Sequence, residues 1–167
     1  VQHDVQGLIN LMGGNKTFLK KLDTLFSGLE SGDAYFDPTN EPDIHYPYLY
    51  NYAGAPWKTQ KIVRYLTQNT YSADHEHGLP GDDDAGTMSA WYIFSSLGFY
   101  PFAPGSPEYI IGSPLFDKVE IALDKKYFGK NTFTVESINN NANNIYIQQA
   151  TLNGESMNKT WITHNEI

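Results

Sequence analysis

Residues 79–98 read LPGDDDAGTMSAWYIFSSLG, and the rest of the chain is best understood outward from them. Three consecutive carboxylates, Asp82 to Asp84, stand between Gly81 and Gly86 and run directly into an apolar stretch closed by Gly98. The apolar residues recur at helical spacing, which predicts a helix from Asp84 onward burying Met88, Trp91, Ser95 and Leu97. After Gly98 the texture changes. Pro101, Pro104, Pro107 and Pro114 rule out long helices. The short runs EYIIG, KVEIAL, NTFTVES and NIYIQQATL are rich in β-branched residues and partly alternate, as strands do. Asn153-Gly154 between Leu152 and Glu155 predicts a tight hairpin turn.

Upstream of the acidic stretch the chain reads helical. In NKTFLKKLDTLFSG, Phe18, Leu19, Leu22, Leu25 and Phe26 share one helical face, with Asn15 as the expected N-cap and Gly28 as terminator. A shorter helix from about Val5 to Met12 precedes it, closed by Gly13 and Gly14. Residues 29–42 read as a loop, and another helix is expected near Tyr46 to Tyr52. Pro56 suits the first turn of a helix running to about Asn69, with Trp57, Val63 and Leu66 inward. The fold class is therefore mainly α with a β-rich C-terminal part. Helices paired across functional loops suggest a fragment of an (α/α)6 toroid followed by short β-strands: residues 1–100 as C-terminal hairpins of the toroid, 101–167 as the β-rich segment. A whole toroid needs several hundred residues at about 30 or more per hairpin, so this chain holds two or three hairpins. Its helix faces should then be unusually apolar where their partners are missing.

A net charge of −8 disfavours nucleic acid, whose phosphates call for cationic surface. No run approaches the roughly 18 apolar residues of a membrane helix. Cysteine is absent, which removes disulfides, thiolate zinc sites and cysteine nucleophiles. Twelve tyrosines beside many acids and amides suit sugar binding, in which rings stack on apolar sugar faces, although buried aromatics also build ordinary cores.

Adjacent like charges raise one another's pKa, so the triple Asp favours a cation, a shared proton or a helix N-terminus. In an extended loop Asp82 and Asp84 would share one side, with Asp83 opposite, and a convergent carboxylate pair suits a general base and its partner. Asp84 acting only as a helix cap fits the same pattern. An EF-hand does not: the twelfth residue from Asp82 is Ile93, where a bidentate Glu is required. A second cluster, TNEPDIHYPYLYNYAGAPWKTQ from Thr39 to Gln60, gathers Asn40, Glu41, Asp43 and His45 ahead of dense aromatics. Its oxygen donors suit a hard cation such as calcium; a capped turn entering an aromatic core is the plainer alternative. His3 and Asp4 stand before the first helix, where Asp4 also reads as a cap.

These stretches carry a resemblance. NEPDIHYPYLYNYAGAPWKTQKIVR (40–64) followed by GLPGDDDAGTMSAWYIFSSLGFYPFAPGSPEYIIGSPLFDKVEI (78–121) resembles the C-terminal half of glycoside hydrolase family 92, and VQHDVQGLINLMGG resembles the segment that family commonly begins with VPHD. The likeness runs from Val1 to about Leu123. It implies a calcium-dependent, inverting exo-α-mannosidase acting on mannose-containing glycans, with its site between a β-sandwich and an (α/α)6 domain. It further implies Asp84 as base with Asp82 as partner, Asn40 and Glu41 near calcium and sugar, and His3 and His45 as sugar contacts. Gln2 departs from the family's usual Pro. The family's general acid, a Glu, belongs to a motif expected upstream of Val1. The chain would then need the remainder of its parent enzyme, be inactive alone, and come from a secreted or periplasmic protein. A noncatalytic carbohydrate-binding piece or a structural helical fragment is the competing expectation.

Overall fold

The helix that follows the acidic loop, α5 (Thr87–Leu97), sits at the centre of the architecture. A computed structural model describes residues 2–167. Before α5 come α1 (Val5–Leu11), α2 (Asn15–Leu25), the single turn α3 (Leu49–Tyr52) and α4 (Pro56–Asn69). After it come β1 (Phe99–Tyr100), β2 (Glu108–Ile111), β3 (Lys118–Ala122), the short α6 (Lys125–Phe128), β4 (Thr132–Glu136), β5 (Ala150–Leu152), β6 (Glu155–Met157) and β7 (Trp161–Thr163). A helical N-terminal region thus gives way to a β-rich tail, as the sequence pattern implies. The tail forms three open antiparallel sheets, ordered β1-β2-β7, β3-β4 and β5-β6.

Local chemistry explains most element ends. Asp4 caps α1 by accepting from the Gly7 N–H, and Pro56 occupies the first turn of α4, where its missing N–H leaves no bond unmade. Gly98 ends α5 in the left-handed conformation, with a Cβ there 2.8 Å from Pro114 Cβ. Asn153 and Gly154 take φ values of 52° and 88°, the primed turn that joins β5 to β6.

Several expectations need correction. Gly14, not Asn15, is the N-cap of α2, and α2 stops at Leu25; Gly28, left-handed, instead caps the start of a following 3₁₀ turn over Leu29–Ser31. Trp57 is 53% exposed because the inward face of α4 is carried by Thr59, Ile62, Val63 and Leu66. Leu97 is half-buried, and α5 begins at Thr87, three residues after Asp84. The run NIYIQQATL is a strand only over its last three residues. Ahead of them, side chains from α4 and from the segment after β2 take its backbone groups: the Ile147 N–H donates to Gln60 Oε1, and the Ile145 carbonyl accepts from Ser113.

The main core packs Ile9, Phe18, Leu22, Tyr48, Tyr50, Val63, Met88 and Trp91, and reaches across to Phe102 and Ile110 of the tail. A smaller core gathers Phe99, Phe133, Ile162 and Ile167 against Phe94 and Leu97 of α5. Arg64, buried on α4, ties the layers together through Ser113 Oγ (3.0 Å), the Pro114 carbonyl and Asn140 Oδ1 (2.8 Å). Leu11, Trp57 and Ile93 leave large apolar side chains in solvent on three different helices. Among the described residues no helix is long and apolar enough to cross a membrane.

Candidate active site

The acidic loop is shaped from within by its middle residue. Asp83 accepts from the Ser89 backbone N–H at 2.8 Å and from the Ser89 hydroxyl at 2.9 Å, satisfying the first turn of α5. Between them, Asp84, Ala85 and Gly86 have φ values of 43°, 59° and 87°, three successive left-handed residues. An L-residue there is strained, and such strain persists only where surrounding contacts impose it. Asp82 and Asp84 are exposed, while Asp83 is half-buried. The turn at Asp84 breaks the extended alternation expected from sequence, so the relation of the Asp82 and Asp84 side chains is set by this turn and not by strand geometry.

Asn40 and Glu41 lie on a second, tightly wound segment. Residues Glu41–Asp43 form a 3₁₀ turn in which the Asp43 N–H donates to the Asn40 carbonyl at 2.9 Å and the Ile44 N–H to that of Glu41 at 3.3 Å. The two segments meet. A Cβ on Gly81 would lie 2.3 Å from the Thr39 carbonyl oxygen, so the backbone of the acidic loop rests directly on the residue before Asn40. At the other end, the buried Trp91 indole N–H donates to the Ile44 carbonyl at 2.8 Å.

Two tyrosines, Tyr100 and Tyr71, lie near this junction, and Tyr48 backs Tyr100 from the core. Tyr48 and Tyr100 stack at 4.8 Å, and Tyr71 stacks on Trp91 at 5.7 Å. The Tyr100 hydroxyl is pushed up to about 12, first by burial and then by the negative charge of Glu41. Burial, then the neighbouring Tyr100 and Asp83, raises that of Tyr71. Both phenols remain protonated near neutral pH. His45 packs its ring edge-on against Tyr46 and Phe102, and burial draws its pKa from 6.5 down to about 4. It is therefore a neutral imidazole at pH 7, suited to an uncharged polar ligand.

His3 belongs to the first segment of the chain. It is exposed and lines a hollow of about 520 Å³ with Asp4, Gly7, Leu8, Asn10 and Leu11 at the start of α1. A separate hollow of about 450 Å³ lies between α2 and α4, around Asp23, Tyr50, Lys58 and Tyr65, and contains none of the candidate residues. The candidate acids stand on the two loops that meet where Gly81 rests on Thr39.

Among the described residues no three His, Asp or Glu side chains gather closely enough to hold a metal ion. Calcium takes about six to eight oxygens, often carbonyls and amides beside carboxylates. Asn40 and Glu41 have donor atoms of that kind and fit as part of such a cage, not the whole of it.

The sequence marks Gly81 as a loop boundary and Trp91 as buried, but not the contacts they make, and it gives no role to Ser89, Tyr71 or Tyr100. Gly81 heads an acidic run and Ser89 pairs with Asp83 six residues away, whereas Trp91, Tyr71 and Tyr100 act through partners farther off in the chain.

With this geometry in view, likeness to known proteins is informative. The model of the glycosyl hydrolase family 92 catalytic domain matches residues 1–167, and the chain belongs to that family. An uncharacterized secreted glycosidase of Arthroderma benhamiae is 37% identical over 166 residues, 98% of this chain and 20% of that protein. A family GH92 α-mannosidase from Bacteroides thetaiotaomicron superimposes with a TM-score of 0.87 at 36% identity, covering 99% of this chain and 22% of its own. A family GH92 inverting mannosidase from the same species gives 0.87 at 38% identity, over 100% and 25%. The chain spans about a fifth to a quarter of the length of these relatives.

Proposed function

We propose that this chain supplies the base-bearing half of the active site of an inverting exo-α-mannosidase that removes terminal α-mannose from glycans. The observation that carries the reading is the seating of Gly81 on Thr39, which joins the acidic loop to the Asn40–Glu41 turn in a chain of this family. Asp84 is the base. It takes a proton from a water molecule, whose oxygen attacks the anomeric carbon from the face opposite the leaving group. A carboxylic acid on the other side, a Glu upstream of residue 1 in the parent protein, gives its proton to the departing glycosidic oxygen. The C–O bond to the leaving group breaks as the new one forms, and the configuration inverts. Inverting pairs stand about 6.5–9.5 Å apart to admit that water.

Asp82, exposed two residues away in the same loop, acts as the partner of Asp84. Asn40 and Glu41 contribute to a calcium site and Asn40 also meets the sugar, with His45 and His3 as further sugar contacts. Calcium, when bound, would coordinate sugar hydroxyls, orienting the ring and favouring its distortion toward the transition state. Neutral His45 exchanges hydrogen bonds with hydroxyls without the desolvation of a buried cation. Residues 1–100 belong to the helical catalytic domain and 101–167 to a β-rich segment that buttresses it. The isolated chain is inactive for want of the acid, and the parent works in a secreted or periplasmic setting, in keeping with its similarity to a secreted glycosidase of Arthroderma benhamiae.

The test is product stereochemistry. The full-length protein is incubated with an α-mannobioside and the first-formed sugar followed by proton NMR. β-Mannose should appear first and mutarotate; α-mannose first, or no release with calcium supplied, would overturn the reading.

A further inference from the structure

The acidic loop and the Asn40–Glu41 turn are fastened to each other at two points that bracket both. On one side the bracket encloses Asn40 to Asp43, with Thr39 before it and Ile44 after. On the other it encloses Asp82 to Ala90, with Gly81 before it and Trp91 after. Gly81 pairs with Thr39 and Trp91 with Ile44, so two short segments form opposite sides of a closed frame. We propose that Gly81 and Trp91 are positioning residues that set the spacing between the base and the Asn40–Glu41 turn. The proposal rests on the reading of these two segments as walls of one mannoside site.

At Gly81 the requirement is closeness, since its φ is not among the left-handed ones. A Cβ would meet the Thr39 carbonyl oxygen at 2.3 Å and the Thr39 carbonyl carbon and Cα at 3.0 Å. These are main-chain atoms and have no rotamer by which to yield, so an alanine must drive the loops apart. A shift near 1 Å at reacting groups reduces turnover about 100-fold. At Trp91 the requirement is a donor. The side chain is 2% exposed, and its N–H meets the carbonyl at the end of the 3₁₀ turn, one helical turn beyond the start of α5. Phenylalanine keeps an aromatic ring there but leaves the Ile44 carbonyl without that partner.

Two controls separate positioning from ordinary support. A Cβ on Gly78 would strike the Asp74 carbonyl oxygen at 2.6 Å, a similar main-chain clash confined to residues 72–78. Thr59 makes another buried bond to a carbonyl, from its hydroxyl to Pro47 at 2.7 Å. In the full-length protein, kcat, KM and melting temperature are measured with an α-mannoside for Gly81→Ala, Trp91→Phe, Gly78→Ala and Thr59→Val. The expected result is a fall in kcat/KM of about 100-fold for Gly81→Ala and about 10-fold for Trp91→Phe. The controls, at equal loss of melting temperature, stay within about threefold of the parent. Activity that falls in step with melting temperature across all four variants overturns the proposal, as does near-parent activity in both frame variants. If Gly81→Ala does not fold, Trp91→Phe decides alone. Asp84→Asn, run in parallel, isolates the underlying reading: normal turnover there defeats the site assignment itself, whereas loss there with intact frame variants defeats only the positioning role.

Discussion

The carboxylate of Asp83 holds Ser89 by both its backbone N–H and its hydroxyl, bridging the three left-handed residues that carry Asp84. The central acid of the triplet is therefore committed to the start of α5, leaving its neighbours exposed.

Asp83→Ala is accordingly expected to destabilise the protein by about 1–2 kcal/mol, the usual loss for a capping acid. Asp83→Asn should recover most of it, since an amide can accept from the N–H and donate to the hydroxyl. Denaturant unfolding of the full-length protein measures both, and an alanine variant as stable as the parent would remove Asp83 from this role.

His45 makes stability depend on pH in a defined direction. Its folded pKa, about 4, lies below its ordinary 6.5, so between these values the unfolded chain binds more protons than the folded one. Stability is complete above 6.5, falls as pH drops toward 4 and then levels for this group. Melting curves of parent and His45→Gln should diverge through that window, the variant showing the flatter profile. Because the ring is only half-buried, the difference should be a few degrees. Parallel profiles would contradict it.

Asn140 holds the 139–144 loop to the helical layer by accepting from Arg64 at 2.8 Å and donating to the Pro114 carbonyl at 3.3 Å. Burial lowers the Arg64 pKa, yet the group stays cationic, and a hydrogen bond to a charge contributes about 1.5–3 kcal/mol. Asn140→Ala should speed amide exchange across residues 139–145 while leaving α5 protected. Unchanged exchange in the loop would show that Ser113 and Pro114 suffice.

What was legible in the sequence was what local chemistry decides. Pro56 and Asn69 bound α4, Gly98 ends α5, Asp4 caps α1 and Asn153-Gly154 turns the last hairpin, each through its own backbone preference. Trp57 is inward by periodicity yet exposed, because periodicity gives a helix a face without saying which layers cover it. The strand read over residues 144–152 shrank because Gln60 and Ser113 take backbone groups that a neighbouring strand would have paired. Trp91 and Ile44, 47 residues apart, and Gly81 on Thr39 could not be inferred from spacing at all. They are products of tertiary packing. So is the frame that gives the acidic loop its company, even though the loop itself stands out in the sequence.

The most direct test is Asp84→Asn in the full-length protein, with turnover of an α-mannoside and affinity for a nonhydrolysed mannoside measured on the same preparation. An amide at this position preserves size and polarity but cannot take a proton from water. Turnover should fall by at least about 100-fold, the lower range for loss of a general base, with affinity essentially unchanged. Turnover close to that of the parent would contradict the assignment of Asp84 as the base.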